Sequence, residues 1–150
     1  MRVFRIARAP YPVLDGEGAS RAGGRWNSRG VPVVYTAGSR ALAALEVLAW
    51  TDPDVAPLDL LLSEIRVPAD ASVETVPSES LPHDWQRPEY VDGRLTGDEW
   101  ARSLRTLVLK VPSALLPEEH NYLLNPRHPD ARKLRLVRSR PFEFDPRLLR

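Results

Sequence analysis

The chain of 150 residues has no cysteine and no long apolar run. Without cysteine there is no disulfide framework, no thiolate metal site and no cysteine nucleophile, which suits a reducing compartment. No segment approaches the ~20 consecutive apolar residues that a membrane span needs, and residues 1–6 lack the apolar core of a secretory signal. We therefore expect a soluble protein of the cytoplasm that has no membrane partner.

A large excess of charge of one sign is also missing, because 21 Lys+Arg stand against 20 Asp+Glu. No overall basic field would therefore direct the chain to nucleic acid. Residues 132–150 are an arginine-rich exception with only Glu143 and Asp145 as acids, and we interpret them as a solvated edge or a docking surface.

No metal is expected, since no metal-ligand spacing occurs. Three histidines are interpreted as structural or surface residues: His83, His120 and His128.

The periodicity predicts strands and helices in mixed order, and hence an α+β fold in one domain over residues 1–150. A helix over residues 40–50 is capped by Ser39 and is apolar nearly all round, so we expect it to be buried. A capping box that starts at Thr96 predicts a second helix through Leu104. Residues 69–90 are expected to form a long loop. Strands are predicted at residues 3–6, 31–36, 58–67, 106–111, 133–137 and 141–144.

Glu46 is the most informative single residue, because its neighbours on the predicted helix are apolar: Leu42, Ala43, Ala49 and Trp50. Burying a carboxylate there costs several kcal/mol unless a cation or hydrogen-bond donors compensate. Glu46 is therefore either a structural residue, in a buried ion pair or at a helix edge, or an active-site carboxylate.

A second candidate is the segment Gly23-Gly24-Arg25-Trp26-Asn27, which joins a flexible backbone to a cation, an aromatic ring and an amide. Arginine binds phosphate oxygens through two parallel bonds, and an indole stacks on a base or a nicotinamide ring. A plain turn anchored in the core by Trp26 fits the same residues.

Tyr35 ends the strand before the Glu46 helix, where either a pocket residue or a core tyrosine fits. Ser113 also follows a strand, but no GxSxG motif surrounds it.

These pieces together resemble the RES-domain toxins, a family named for an arginine, a glutamate and a serine. The resemblance spans Arg5 to about Arg135 and rests on the order and spacing of several short motifs. They are Gly23-Gly24-Arg25-Trp26-Asn27, Val34-Tyr35-Thr36-Ala37, the helix with Glu46, Val111-Pro112-Ser113, Asn121-Tyr122-Leu123-Leu124-Asn125-Pro126 and His128-Pro129-Asp130.

The resemblance implies a fold like that of ADP-ribosyltransferases, in which two small, mostly antiparallel sheets form a cleft for NAD⁺ without a metal. It also implies the toxin of a bacterial toxin–antitoxin pair that arrests growth. The expected partner is an Xre-like helix-turn-helix antitoxin that blocks the cleft, and the toxin is expected to be a homodimer within a larger complex.

For the site, the resemblance implies that Arg25 binds the phosphates or the nicotinamide ribose and that Tyr35 packs beside the nicotinamide. Glu46 would accept hydrogen bonds from ribose hydroxyls and stabilise the cationic charge that develops as nicotinamide leaves. Ser113 would orient Glu46 or the ribose. Further NAD⁺ contacts are expected from Trp26, Asn27 and Asn121.

The leading hypothesis is an enzyme that consumes NAD⁺ as a glycohydrolase or phosphorylase. The alternatives are a mono-ADP-ribosyltransferase that modifies a protein, a non-enzymatic partner-binding module and an RNA-cutting toxin. The balanced charge and the absence of paired catalytic histidines disfavour the last. The acceptor of ADP-ribose stays open, as do a shared role of Arg21 or Arg29 and a lid formed by residues 68–95.

Overall fold

The structure is a computed structural model that describes residues 1–52, 54–55 and 57–149. Its strands are β1 (Arg2–Arg8), β2 (Val34–Ala37), β3 (Leu60–Arg66), β4 (Val73–Thr75), β5 (Val108–Pro112), β6 (His120–Leu124) and β7 (Arg135–Phe142). Its α-helices are α1 (Glu17–Ala22), α2 (Arg40–Ala49) and α3 (Gly93–Ser103). The α+β class is thus confirmed.

All seven strands join in one sheet with the order β4-β5-β6-β2-β1-β3-β7, whereas two small sheets were expected. Every neighbouring pair is antiparallel except β4 and β5, which are parallel. The strands stay in one sheet because β2 pairs on one side with β1 and on the other with β6. This central pairing links the two halves of the sheet, β4-β5-β6 and β1-β3-β7.

The register decides which side chains share a face of the sheet. Phe4 lies opposite Ala37, and Ala37 lies opposite Asn121, so these three side chains point to one face. Helix α2 packs against β1 and β2, where Leu42 and Ala43 join a buried cluster with Phe4. The same face also carries Tyr35, two residues before Ala37.

Several predicted elements agree with the structure. The strands predicted over residues 3–6, 58–67 and 106–111 correspond to β1, β3 and β5. The strand predicted over residues 31–36 corresponds to β2, which starts three residues later and ends one residue later. Residues 133–137 and 141–144 were predicted as separate strands, but β7 runs through both regions. Strand β6 was missed because its sequence, His-Asn-Tyr-Leu-Leu, begins with polar residues.

The predicted helices differ more from the structure than the predicted strands do. Helix α2 is capped as predicted, since the Ser39 Oγ accepts the Leu42 N–H at 3.0 Å, but it is only half-buried, and Leu45 is 37% exposed. Helix α3 begins at Gly93, so the capping box at Thr96 was wrong. Helix α1 was missed in a glycine-rich stretch.

The segment 69–90 is mainly irregular, as predicted, but it contains β4 and a short 3₁₀ turn at Ser78–Ser80. Among the helices of the described residues, none is long and apolar enough to cross a membrane.

Helix α3 packs very closely against the segment that carries Trp26. A Cβ added at Gly97 would overlap the carbonyl carbon and oxygen of Trp26, so only glycine fits this contact. The buried indole of Trp26 and the fully buried Trp100 of α3 belong to the same core cluster. Gly97 therefore sets the distance between α3 and the segment that precedes Asn27.

We expect Gly97→Ala to lower the free energy of unfolding by about 2 kcal/mol or more, because the overlap is with backbone rather than a flexible side chain. The control is Gly18→Ala in α1, where no atom lies within 4 Å of the added Cβ. Urea denaturation of the two variants measures the difference. Equal stability of both would contradict the packing of α3.

Candidate active site

The carboxylate of Glu46 receives two hydrogen bonds from residues far away in the sequence. Ser113 Oγ donates to Glu46 Oε1 at 2.7 Å, and Asn121 Nδ2 donates to the same oxygen at 2.8 Å. Asn121 can reach Glu46 because β6 pairs with β2, which leads into α2. Three residues from the sequence prediction thus meet at one carboxylate oxygen.

The hydroxyl of Ser113 has a fixed direction. It accepts the backbone N–H groups of Leu115 at 3.1 Å and Leu116 at 3.2 Å, and the Ser113 side chain is fully buried. A hydroxyl has one proton and two acceptor positions, so its proton is left for Glu46. In this arrangement the hydroxyl of Ser113 is fully engaged within the protein, and its proton is directed at Glu46.

The second carboxylate oxygen of Glu46 stays available. In the part of the chain that the structure describes, Oε2 makes no hydrogen bond, and it is not among the buried polar atoms that lack a partner. Glu46 itself is half-buried. One oxygen is therefore held by the protein, and the other faces the solvent as an acceptor.

Arg25 lies near Glu46 but forms no ion pair with it. No nitrogen of Arg25 comes within 4.0 Å of a carboxylate oxygen in the described residues. The compensation that a carboxylate on this helix needs therefore comes from the hydrogen-bond donors Ser113 and Asn121 and not from a direct ion pair with Arg25. Burial lowers the pKa of the Arg25 guanidinium, and the nearby charge of Glu46 partly opposes this effect.

The guanidinium of Arg25 is held on one side only. Its Nη1 donates to the carbonyl oxygens of Trp85 at 2.7 Å and Arg87 at 3.2 Å. Its Nε and Nη2 make no hydrogen bond within the described chain, and neither is a buried atom without a partner. These two nitrogens form the fork with which arginine binds phosphate or carboxylate.

Tyr35 and Asn27 hold the backbone around Arg25. The Tyr35 hydroxyl accepts the Trp26 N–H at 3.1 Å and donates to Asn27 Oδ1 at 2.6 Å. Asn27 Nδ2 donates to the carbonyl oxygens of Ala19 at 2.8 Å and Val31 at 2.9 Å. Burial raises the pKa of Tyr35 above its usual range, so the hydroxyl stays neutral at physiological pH.

Two predicted ligand contacts are corrected by this arrangement. Trp26 is 2% exposed and belongs to the core, so its indole is not open for stacking on a ligand. Asn27 is fully buried, and its amide is used within the protein. Both residues support the segment that presents Arg25, which matches the alternative of a turn anchored in the core.

Three residues of α3 that were not predicted as site residues also hold this segment. Arg94 Nε donates to the Gly24 carbonyl at 2.9 Å, and Asp98 Oδ1 accepts the Ser28 N–H at 2.8 Å. Gly97 makes the close contact described above. No local sequence pattern marks Asp98, because its burial, at 6% exposure, follows from the packing of α3 against the Trp26 segment; a buried acid needs donors, and the Ser28 N–H is one.

Other residues from the sequence analysis lie outside this cluster. Arg21 and Arg29 are exposed. His128 Nδ1 accepts the Asp130 N–H at 3.0 Å at the start of a 3₁₀ turn. Within residues 1–52, 54–55 and 57–149, no group of three or more His, Asp and Glu is arranged to hold a metal.

A separate cavity of about 250 Å³ lies beside α3. It contains none of the residues predicted for the site. Its walls are formed by Gly30, Val31, Pro32, Ala101, Arg102, Leu104, Asn125 and Arg127. We therefore place the candidate site at the Glu46 cluster.

Comparison with known proteins agrees with the pattern of residues. A sequence model of the RES domain matches residues 2–145. The chain belongs to the RES-domain family. A relative from Sphingobium sp. (strain YBL2), named "Prs ADP-ribosylating toxin", is 44% identical over 91% of this chain and 87% of its own length.

Other RES-family relatives cover nearly the whole chain. A "Toxin Res" from Pseudomonas putida is 38% identical over 99% of both chains, and one from Photorhabdus laumondii is 36% identical over 100% of this chain and 98% of its own. The fold is similar to a chain in the crystal structure of the M. tuberculosis MbcT-MbcA toxin-antitoxin complex. The TM-score is 0.75 at 24% identity, with 99% of this chain and 86% of that chain covered.

Removing the Tyr35 hydroxyl tests how the Arg25 segment is held. We expect Tyr35→Phe to lower the free energy of unfolding by about 1–3 kcal/mol, because the Trp26 N–H and Asn27 Oδ1 lose their partner in a buried place. Hydrogen exchange at the Trp26 amide should accelerate. Tyr11→Phe, at a tyrosine that is 44% exposed, is the control, and an equal effect of both variants would contradict the role of Tyr35.

Proposed function

We propose that this protein is the toxin of a bacterial toxin–antitoxin pair and an enzyme that consumes NAD⁺ by cleaving the bond between nicotinamide and ribose. Its acceptor is water or phosphate, so the activity is that of a glycohydrolase or a phosphorylase. The observation that carries the proposal is the carboxylate of Glu46, with Oε1 bound by Ser113 and Asn121 and Oε2 open.

A carboxylate held in this way suits the chemistry of the ribose. As the bond to nicotinamide breaks, its electron pair leaves with nicotinamide and positive charge develops on the ribose ring. A fixed negative charge nearby stabilises that state more than the ground state. Glu46 Oε2 would accept a hydrogen bond from a ribose hydroxyl, which brings the carboxylate close to the developing charge.

Arg25 would supply the opposite charge for the anionic part of NAD⁺. Its open fork, Nε and Nη2, matches two oxygens of a phosphate. Since Arg25 and Glu46 do not neutralise each other in an ion pair, both charges remain for the ligand. Tyr35, whose hydroxyl is occupied within the protein, would contribute the side of its ring beside the nicotinamide.

Transfer of ADP-ribose to a protein is a second candidate function. It is favoured by the name of the 44% identical relative, which describes an ADP-ribosylating toxin. The same two charges would serve this reaction, because the bond that breaks is the same and only the acceptor differs.

Partners and location follow from the same proposal. The structural neighbour was solved as a toxin–antitoxin complex, which supports an antitoxin as the partner of this chain. We propose that this antitoxin is of the Xre-like helix-turn-helix type, that the toxin is a homodimer within the complex and that the pair acts in the cytoplasm.

An NAD⁺ consumption assay tests the enzyme. We expect Glu46→Gln to lower the rate of nicotinamide release by about 100-fold or more, since the charge is lost while the shape is kept. Ser113→Ala should lower kcat up to about 100-fold through misplacement of Glu46. Mass analysis of the ribose product, with and without phosphate, identifies the acceptor.

The matched control is Glu17→Gln, because Glu17 is exposed in α1, away from the Glu46 cluster. It should keep the full rate. No turnover of free NAD⁺ by the wild-type chain would overturn the glycohydrolase and phosphorylase assignment. Transfer of labelled ADP-ribose to a protein would then support the second candidate.

Expression in bacteria without an antitoxin gives an independent readout. We expect the wild-type chain to arrest growth, and Glu46→Ala and Arg25→Ala to be tolerated while still accumulating as folded protein. The cellular NAD⁺ concentration should fall only with the wild-type chain. Equal toxicity of folded variants would contradict the assignment of the site.

A further inference from the structure

Six arginines form one surface at the β7 end of the sheet, which we term the arginine patch. Arg40 begins α2, and the other five lie on strands, on the face that carries α2. Arg2 is on this face because it precedes Phe4 by two residues, and Arg2, Arg66 and Arg135 lie opposite one another in register. Arg140 lies opposite Leu62, two residues before Glu64. Arg138 lies opposite Glu64 on the same face. The patch consists of Arg2, Arg40, Arg66, Arg135, Arg138 and Arg140.

Glu64 is the one carboxylate in contact with the patch among the described residues, and it contacts three of the six arginines. Glu64 contacts Arg138 at 2.9 Å, Arg40 at 3.4 Å and Arg2 at 3.8 Å, and its side chain is only 11% exposed. No other carboxylate lies within 4.0 Å of the six arginines among the described residues. Six positive charges and one negative charge leave a local excess of +5 in a chain whose formal net charge is +1.

Protection of a sheet edge does not account for this arrangement. Charged residues on an edge strand discourage pairing between sheets, which would explain the arginines of β7. Arg2 and Arg66, however, lie on β1 and β3, which are inner strands of the sheet. Like charges directly opposite on neighbouring strands are destabilising. The facing arginines Arg2, Arg66 and Arg135 therefore lower the stability of the fold, and a bound anion would offset this loss.

The open edge of β7 lies beside the patch. In the described chain β7 pairs only with β3 and ends the order of strands. All of its residues from Arg135 to Pro141 are exposed, including Leu136 at 47% and Val137 at 37%. Such an edge offers backbone N–H and C=O groups to a further strand.

We propose that the arginine patch and the edge of β7 bind an extended acidic segment of a partner protein. The backbone of that segment would pair with β7, and its carboxylates would contact the arginines. A nucleic acid would use the charges but not the backbone groups of the edge. A second copy of this chain would place arginines against arginines.

The patch also lies on the same face as the candidate site. Asn121, Ala37, Phe4 and Glu64 are neighbours in one row across the sheet. With strands ~4.8 Å apart, Glu64 lies about 14 Å from Asn121. A protein bound at the patch would therefore approach the site on Glu46 from the β3–β7 side, and this inference does not depend on the reaction at that site.

The test uses the full chain and a labelled peptide that alternates glutamate and valine. We expect binding, measured by fluorescence anisotropy at low ionic strength, to weaken with added salt. The variant R135E/R138E/R140E should weaken it about ten-fold or more, since three favourable charges are reversed. The control R8E/R102E/R127E changes the net charge equally at exposed arginines outside the patch and should bind as the wild type does.

A second peptide tests the pairing with β7. N-methylation of its backbone removes the N–H groups but keeps the glutamates, so we expect loss of binding and loss of hydrogen-exchange protection at residues 135–140. Three outcomes overturn the proposal: no binding of the acidic peptide, equal weakening by both triple variants, or tighter binding of a single-stranded oligonucleotide than of the peptide. Since no NAD⁺ is present, none of them bears on the proposed enzyme.

Discussion

The hydrogen bonds to Glu46 Oε1 are the interaction on which the candidate site depends. They join α2 to the end of β5 through Ser113 and to β6 through Asn121, across 67 and 75 residues of sequence. This is feasible only because β2 pairs with β6 and leads directly into α2. The central pairing of the sheet thus determines where the carboxylate lies, and the two donors determine which of its oxygens faces outward.

Compensation by neutral donors has a different consequence from compensation by a cation. In an ion pair, the charges of Arg25 and Glu46 would largely cancel, and little electrostatic attraction would remain for a ligand. Ser113 and Asn121 instead stabilise the carboxylate through hydrogen bonds without cancelling its charge. Arg25 is satisfied at Nη1 by the carbonyl oxygens of Trp85 and Arg87. Two opposite charges are thereby held apart in one site, an arrangement that suits a ligand with an anionic group and a centre that becomes cationic.

The sequence predicted those features that depend on local pattern. Alternation revealed β1 and β3, Ser39 revealed the start of α2, and the unusual position of Glu46 indicated a need for donors. The start of α3 was missed because Gly97 within the Thr96 motif serves a contact with Trp26 that no local pattern encodes. Strand β6 was missed because Asn121 is a polar residue where alternation alone would favour an apolar one. The burial of Trp26 depends on α3, which is distant in sequence, so core and ligand-binding roles were indistinguishable.

The loop between β4 and α3 connects the two halves of the site. Its Trp85 and Arg87 carbonyl oxygens hold Arg25, and Gln86 Nε2 donates to the Ala114 carbonyl at 2.9 Å, next to Ser113. Trp85 is 5% exposed and anchors the loop. Prolines reduce the freedom of the unfolded loop, so fixing it costs less entropy, and Pro77, Pro82 and Pro88 lie within it. These contacts favour a fixed wall over a moving lid, because opening the loop would remove the partners of Arg25.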